Sequence, residues 1–272
     1  MSCVMSAVPS ADEIDISALK AKYRKERAKR LKADAQKQYV KLSAETETDH
    51  SFDPYKPVVP RDPLDEDLDV AILGGGWSGL QMAVCLIKNG IGTFRNIDTA
   101  GGFGGTWYWN RYPGLQCDND AYCYMPMLEE MGHLPTKQFE DGYNILGYIE
   151  KIADRFHLQE KALFHTLVTS LKWDGDIQRW RITTNRGDVI RARFVVMAGG
   201  TLSTPKLPAI AGVESFKGKV FHTSRWDYDY TGGDWKNPVL DKLADKRVAI
   251  LGTGATAIQA VPYLARYAKH VY

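Results

Sequence analysis

The sequence predicts an α/β fold with two Rossmann-like dinucleotide-binding domains, a β-rich insert in the first and a helical extension before it. Two glycine-rich fingerprints predict the domains, because residues 74–79 (GGGWSG) and 252–257 (GTGATA) each follow a short apolar stretch and precede a helical pattern. A run of short alternating stretches between them predicts the insert. The sequence stops about one strand after the second fingerprint, so the second domain is expected to be truncated.

The composition excludes several classes of protein. The chain has 272 residues, 44% hydrophobic and 25% charged, and its net charge of +2 predicts no bulk attraction to nucleic acid or to membranes. No run of about 18 apolar residues predicts a membrane span, and no apolar region predicts a secretory signal. The cysteines lack the spacing of a disulfide framework or of a CxxC redox pair, and no metal site is predicted. Reduced thiols favour a cytoplasmic location. The four cysteines are Cys3, Cys85, Cys117 and Cys123.

The first 66 residues are interpreted as a helical extension and a proline-rich linker. Residues 14–42 are basic and helix-prone, with a sparse apolar stripe that predicts a helix lying on the domain. The alternative is a polybasic segment for acidic lipid or nucleic acid, which the interspersed Glu26 and Asp34 disfavour. Residues 67–205 are then expected to form part of the first dinucleotide-binding domain, and residues 206–272 an inter-domain linker and the start of the second.

The first fingerprint has the context that a dinucleotide site requires. The apolar stretch 69–73 predicts the preceding strand, and a helical pattern follows until Asn89 and Gly90. In such a motif the first glycine allows a tight turn, the second lets the backbone approach a pyrophosphate, and the third allows close packing of helix on strand. These positions are Gly74, Gly76 and Gly79. Asp98 closes the next strand, where an acidic residue binds a ribose hydroxyl. An ordinary glycine-rich turn is the disfavoured alternative.

Asn96 is an exception to the pattern of that next strand. A strand of a parallel sheet with both faces covered should be apolar, yet residues 93–97 read TFRNI. The sequence therefore predicts either that this strand lies near an edge of the sheet or that this half of the domain packs imperfectly.

The insert and the second fingerprint complete the α/β pattern. Residues 162–171, 180–184 and 189–193 predict strands, and residues 194–200 predict a buried strand ending in glycines. Residues 246–251 predict the strand before the second fingerprint. A helix follows in which Pro262 predicts a kink or a late first turn. The next strand starts near residue 270, so the residue that would read the second ribose lies outside the sequence.

Residues 101–118, GGFGGTWYWNRYPGLQCD, form the densest cluster of glycine and aromatic residues, called here the aromatic segment. Glycines permit close approach of the backbone, and aromatic rings offer flat apolar walls, a lining that suits a planar ring cofactor. Asp118 at its end is a candidate to face a reacting centre. The alternative is a packed aromatic core.

Two stretches carry a resemblance to a known family. Residues 216–227, FKGKVFHTSRWD, fit the pattern FxGxxxHxxxW of type I Baeyer–Villiger monooxygenases, and residues 104–114, GGTWYWNRYPG, resemble the flavin segment of the same family. The resemblance covers the chain from about residue 69 to residue 272. The basic N-terminal helix resembles an extension found in members that act on large-ring or polycyclic ketones.

The resemblance implies FAD on the first fingerprint and NADPH on the second. Residues implied around FAD are Gly74, Gly76, Gly79, Asp98, Gly105, Thr106, Trp107, Asp118, Tyr124 and Val168. Residues implied around NADPH are Thr253, Gly254, Ala255, Thr256 and Gln259. In the family, the aspartate at position 118 supports an active-site arginine, which would lie beyond this sequence. Phe216, Gly218, His222 and Trp226 form the signature, whose implied role is to couple the domains; direct proton transfer by His222 is less favoured.

The implied reaction inserts one oxygen atom of O₂ beside a ketone carbonyl and yields an ester or lactone. The expected partners are a small ketone and O₂, and a missing C-terminal half is expected to be required for activity. One alternative is a flavin monooxygenase that oxygenates nitrogen or sulfur, whose comparable signature has Tyr or Phe in place of Trp226. A disulfide reductase would need a cysteine pair that the chain lacks. A non-catalytic nucleotide-binding fragment is the alternative from another class.

Overall fold

The computed structural model describes residues 14–31, 39–41, 53–202 and 205–272. The helices are α1 (Ile16–Arg30), α2 (Trp77–Lys88), α3 (Thr106–Trp109), α4 (Ala121–Tyr124), α5 (Leu128–Met131), α6 (Gly142–Arg155), α7 (Tyr228–Thr231) and α8 (Ala255–Tyr267). The strands are β1 (Tyr39–Lys41), β2 (Asp65–Leu73), β3 (Phe94–Ile97), β4 (Ala162–Leu163), β5 (Val168–Asp174), β6 (Arg179–Thr184), β7 (Val189–Met197), β8 (Lys206–Pro208), β9 (Arg247–Val248) and β10 (His270–Val271). The described residues within 1–41 and 206–217 form one unit, and those within 42–205 and 218–272 form a second, larger one.

The smaller unit contains α1 and a two-stranded sheet. The Asp15 carboxylate accepts a hydrogen bond from the Ala18 N–H at 2.9 Å and so caps the start of α1. None of the side chains of α1 is buried. The helix is shorter than the predicted 14–42, because Leu31 is extended and residues 39–41 form β1, which pairs with β8. Asp34 and Cys3 lie outside the described residues.

A six-stranded sheet forms the centre of the larger unit, in the order β4-β3-β2-β7-β6-β5. The first four strands run parallel, and β6 and β5 continue as an antiparallel pair, which is the predicted insert. Strand β2 begins four residues earlier than predicted because its first residues pair with the start of β7. Arg191 of β7 fixes this pairing through ion pairs with the carboxylates of Asp65 and Asp67, at 2.6 and 2.7 Å.

Two features of the insert differ from the prediction. The predicted strand 162–171 is divided into β4 and β5, because the backbone N–H groups of His165 and Thr166 bond the carbonyls of Ala100 and Asp98 at 3.0 and 2.9 Å. The predicted buried end of β7 is wrong. The strand stops at Met197, which is 72% exposed, and Phe194 within the same stretch is 60% exposed.

The main core lies between the sheet and the helices α2 and α6. Large buried side chains of this core come from these helices, from the aromatic segment and from strands β2 and β3, and they include Leu80, Ile145, Ile149, Ile152, Phe103, Tyr108, Tyr148, Ile72 and Phe94. Helix α2 ends at Lys88 with Asn89 as its cap, as predicted. No helix within the described ranges is long and apolar enough to cross a bilayer.

The second fingerprint connects a short parallel pair to a helix. Strand β9 covers two residues rather than the predicted six, because its partner β10 is itself only two residues long. Helix α8 continues through Pro262 from Ala255 to Tyr267, so the proline does not delay its start. Trp226 packs against a small core of Leu240, Leu243 and Leu264 in this part of the unit.

Candidate functional site

The turn from β2 to α2 has the geometry that the first fingerprint predicts. Gly74 has a φ of +129°, a conformation that favours glycine. A Cβ atom added at Gly79 would overlap the carbonyl oxygen of Gly74, so only glycine lets the helix approach the turn this closely. Gly76 occupies the N-cap of α2 without a side-chain cap, which leaves N–H groups of the first turn available to an anion.

Asp98 follows β3 directly and lies against this turn. Its carboxylate accepts hydrogen bonds from the backbone N–H groups of Gly75 at 2.5 Å and Ala100 at 2.8 Å. Burial raises the pKa of Asp98, and the two backbone donors oppose that rise. Val168 begins β5 two residues after Thr166, whose N–H bonds the Asp98 carbonyl. The structure thus brings Asp98 to the fingerprint and Val168 to a segment bonded to Asp98.

Asn96 contacts the fingerprint with its side chain. It is fully buried, and its Nδ2 donates to the carbonyl oxygens of Gly74 and Gly79, both at 3.2 Å. Strand β3 is the second strand from the edge of the sheet, in agreement with one of the two expectations. A polar residue is present in this strand because its side chain bonds to the turn. The pattern of apolar residues in the sequence does not reveal such a bond.

The aromatic segment lies against the first fingerprint and packs into the core. A Cβ atom added at Gly105 would lie 2.7 Å from the Cα of Gly76, which shows how closely the two backbones approach. The indole of Trp107 donates to the hydroxyl of Tyr124 at 2.8 Å, and burial raises the pKa of Tyr124. The side chains of residues 107–109 are buried, so the packed aromatic core that was the alternative interpretation does form. Asp118 is exposed, and no hydrogen bond to its carboxylate is present among the described residues.

A buried carboxylate that the sequence analysis missed ties the linker to this segment. Asp53 is 3% exposed and accepts hydrogen bonds from the Tyr108 hydroxyl at 2.5 Å and from the N–H groups of Gly101 at 2.8 Å and Tyr55 at 2.9 Å. Its Oδ2 also lies 2.9 Å from Nε2 of His165. Burial alone would raise the pKa of Asp53, but these hydrogen bonds outweigh it and hold the pKa below its usual value. A carboxylate in a proline-rich linker gives no sequence signal for this role.

Two arginines connect the aromatic segment to other parts of the larger unit, Arg225 to the signature and Arg111 to the linker. The guanidinium of Arg225, next to Trp226 in the signature, stacks over the Trp109 ring with 4.2 Å from Cζ to the ring centroid. Arg111 stacks over Tyr55 at 3.4 Å. Burial lowers the pKa of both guanidinium groups. The Tyr228 hydroxyl completes the contact by donating to the carbonyl of Arg111 at 2.8 Å. The sequence analysis did not single out either arginine, and the position of Arg225 inside the signature was the one sequence feature that could have indicated its role.

The four signature residues are divided between the two units. His222 caps the turn at 223–225, where its Nδ1 accepts from the Ser224 N–H at 3.1 Å. The indole of Trp226 donates to Thr231 Oγ1 at 3.0 Å. Gly218 belongs to the same larger unit, whereas Phe216 belongs to the smaller unit and is 62% exposed. Coupling of the domains by this signature stays a prediction.

The implied NADPH residues divide into two groups. Residues 253–255 are exposed at the start of α8, where Gly254 forms an N-cap without a side-chain bond. Thr256 interacts with the Tyr112 hydroxyl. Gln259 lies one turn further on, where its Oε1 accepts from that hydroxyl and its Nε2 donates to the Gln116 carbonyl, both at 2.8 Å. Helix α8 is therefore hydrogen-bonded to the aromatic segment that lies against the first fingerprint.

Comparison with known proteins identifies the class that this arrangement defines. The family model described as flavin-binding monooxygenase-like matches residues 67–272. The chain belongs to this flavin-binding monooxygenase-like family.

Relatives within the family agree with the resemblance to Baeyer–Villiger monooxygenases that residues 104–114 and 216–227 indicate. Over 261 residues the chain is 50% identical to neopentalenolactone D synthase of Streptomyces avermitilis, a match that covers 95% of this chain and 43% of the relative. It is 43% identical to Baeyer–Villiger monooxygenase 4 of a Dietzia species, with 95% and 42% covered. The predicted resemblance to Baeyer–Villiger monooxygenases is thus confirmed, and the chain spans less than half the length of these relatives.

Solved structures show the same similarity. The polycyclic ketone monooxygenase from the thermophilic fungus Thermothelomyces thermophila has a TM-score of 0.83 and 40% identity, over 96% of this chain and 44% of that one. The structure of OTEMO in complex with FAD and NADP has a TM-score of 0.67 and 32% identity, over 78% and 39%. The α/β fold class is confirmed by these matches.

Proposed function

We propose that the whole protein containing this chain is an FAD- and NADPH-dependent Baeyer–Villiger monooxygenase. The observation that carries the proposal is the contact of Gln259 with Tyr112 and Gln116, at 2.8 Å in each case. This contact connects the helix of the second fingerprint to the segment that lies against the first. Two dinucleotide motifs held together in one unit suit a reaction in which electrons pass from one cofactor to the other.

The first fingerprint fits FAD. The uncapped N-terminus of α2 and the close backbone approach at Gly74 and Gly76 form a cradle for a pyrophosphate, and Asp98 is the candidate ligand of the ribose. Gly105, Thr106, Trp107, Asp118, Tyr124 and Val168 are proposed to surround the rest of the cofactor. When bound, FAD supplies the activation of O₂ and NADPH the reducing equivalents.

The second fingerprint fits NADPH at its exposed turn. Thr253, Gly254 and Ala255 leave the N-terminal N–H groups of α8 open to a pyrophosphate. Thr256 and Gln259 are proposed to contribute while they hold α8 on the aromatic segment. Because α8 is fixed in this way, the chain itself orients one dinucleotide site relative to the other.

A ketone is the proposed substrate, and the similarity to a polycyclic ketone monooxygenase favours a large-ring or polycyclic one. The exposed carboxylate of Asp118 is free to hold a cation, and we propose that it supports an arginine supplied by the rest of the protein. That C-terminal part is proposed to be required for activity. A cytoplasmic location is proposed because Cys85, Cys117 and Cys123 are all free thiols.

The proposal is tested with the full-length protein and two substrates under the same conditions. We expect NADPH oxidation to be stimulated by a polycyclic ketone, with formation of an ester or lactone. A thioether of similar size tests the alternative of sulfur oxygenation. Sulfoxide formation with no ester from any ketone would contradict the proposal. Binding of FAD and NADPH without oxygenation of any substrate would support the non-catalytic nucleotide-binding alternative.

A further inference from the structure

The Asn96 side chain is a buried amide whose nitrogen is hydrogen-bonded and whose oxygen is not. Its Nδ2 lies 3.2 Å from the carbonyl oxygens of both Gly74 and Gly79, while its Oδ1 is buried without a hydrogen-bond partner. The opposite orientation of the amide would place Oδ1 against two carbonyl oxygens, so the donor must face the turn. An apolar side chain at this position would avoid the cost of burying an unpaired oxygen. The presence of Asn therefore indicates that the two hydrogen bonds donated by Nδ2 are its contribution to the structure.

The two accepting carbonyls lie on opposite sides of the fingerprint loop. Gly74 starts the turn after β2, and Gly79 belongs to the first turn of α2. A single amide group bonded to both fixes the width of the loop between strand and helix. The contact is close enough that a Cβ atom at Gly79 would come within 3.1 Å of Nδ2.

The peptide unit between Gly74 and Gly75 is held from both of its ends. A trans peptide directs its C=O and its N–H to opposite sides. Asn96 binds the carbonyl of this unit, and Asp98 binds its N–H at 2.5 Å. Both partners come from β3 or the residue directly after it, so this strand controls the orientation of the turn.

We propose that Asn96 is a positioning residue that pre-forms the fingerprint turn for the pyrophosphate of FAD. It acts through the carbonyls of Gly74 and Gly79 and does not contact the cofactor. This inference rests on the proposed binding of FAD at the first fingerprint.

The test separates FAD affinity from stability in the full-length protein. Asn96→Leu keeps the branching of the side chain at Cγ, removes both hydrogen bonds and removes the unpaired Oδ1. We expect its Kd for FAD, measured by titrating the apoprotein, to rise by roughly ten-fold, and the Tm of the apoprotein to stay the same or increase. Asn96→Asp places carboxylate oxygens against the two carbonyls and is expected to weaken FAD binding further.

Ile190→Val provides the control for a purely structural effect. Ile190 is fully buried in β7 and pairs with Glu66, away from the fingerprint end of β2. This variant is expected to lower the Tm of the apoprotein and to leave the Kd for FAD unchanged. If Asn96→Leu does not fold, Asn96→Val carries the same comparison with a smaller side chain.

Two results would overturn the inference. One is an Asn96→Leu variant that binds FAD within two-fold of the wild type. The other is a loss of affinity accompanied by a lower Tm of the apoprotein, which would make Asn96 an ordinary packing residue. Failure of the wild-type apoprotein to bind FAD is a different result, because it would remove the proposed function itself.

Discussion

Replacing Gly79 with alanine is expected to abolish retention of FAD and to destabilise the larger unit by more than about 3 kcal/mol. The added Cβ atom would overlap the carbonyl oxygen of Gly74 and would also press on Asn96 Nδ2 at 3.1 Å. Backbone atoms of the turn cannot yield as a flexible side chain would, so β2 and α2 must separate. The measurement is the flavin content of the purified full-length protein, together with its thermal unfolding.

Gly147→Ala is the matched control for this prediction. Gly147 lies within α6, and no atom of a neighbouring residue lies within 4 Å of the position its Cβ would take. Alanine there should stabilise the helix by roughly 0.5–1 kcal/mol and leave the flavin content unchanged. A Gly79→Ala protein with wild-type flavin content would show that the helix does not need this close approach.

Asp53→Ala is expected to lower the free energy of unfolding by about 3 kcal/mol. The substitution leaves the buried Tyr108 hydroxyl and two backbone N–H groups without their acceptor. Because the pKa of Asp53 in the folded protein lies below its ordinary value of 3.8, its contribution is complete above that value. It is lost as the pH falls through the lower, folded-state pKa.

Unfolding by urea at neutral pH and at several values below pH 4 measures this prediction. The wild type should lose stability on acidification more steeply than Asp53→Ala, because only the wild type has this carboxylate to protonate. Asp154→Ala, at an exposed position of α6, is the control and should change stability by less than about 0.5 kcal/mol. Equal acid sensitivity in the wild type and Asp53→Ala would contradict the assigned role of Asp53.

Local patterns were sufficient to predict the parts of the site that depend on neighbours in sequence. Gly74, Gly79 and Asp98 were predicted because the strand, turn and helix of a dinucleotide motif have fixed spacing. The structure places them in one turn, with Asp98 bonded to the N–H of Gly75. The parallel pairing of β2 with β3 agrees with the strand, helix and strand order of such a motif.

Contacts between distant segments could not be predicted in the same way. Asn96 was noticed as an anomaly, but its bonds to the turn depend on how β3 lies beside β2. The acceptor role of Asp53 depends on bringing the linker to Tyr108, 55 residues away. The exposed end of β7 was predicted to be buried because its residues are apolar. Apolar composition shows that a strand is able to be buried, but it does not show whether another element packs against that strand.

The central claim is that the two fingerprints serve one oxygen-inserting enzyme, and isotope labelling of the product tests it most directly. The full-length protein is incubated with NADPH, a polycyclic ketone and ¹⁸O₂, and the product is analysed by mass spectrometry. The account predicts an ester or lactone that contains one ¹⁸O atom in the ring or ester oxygen position. NADPH oxidation that yields only reduced oxygen species or an unlabelled product, across a panel of ketones, would contradict it.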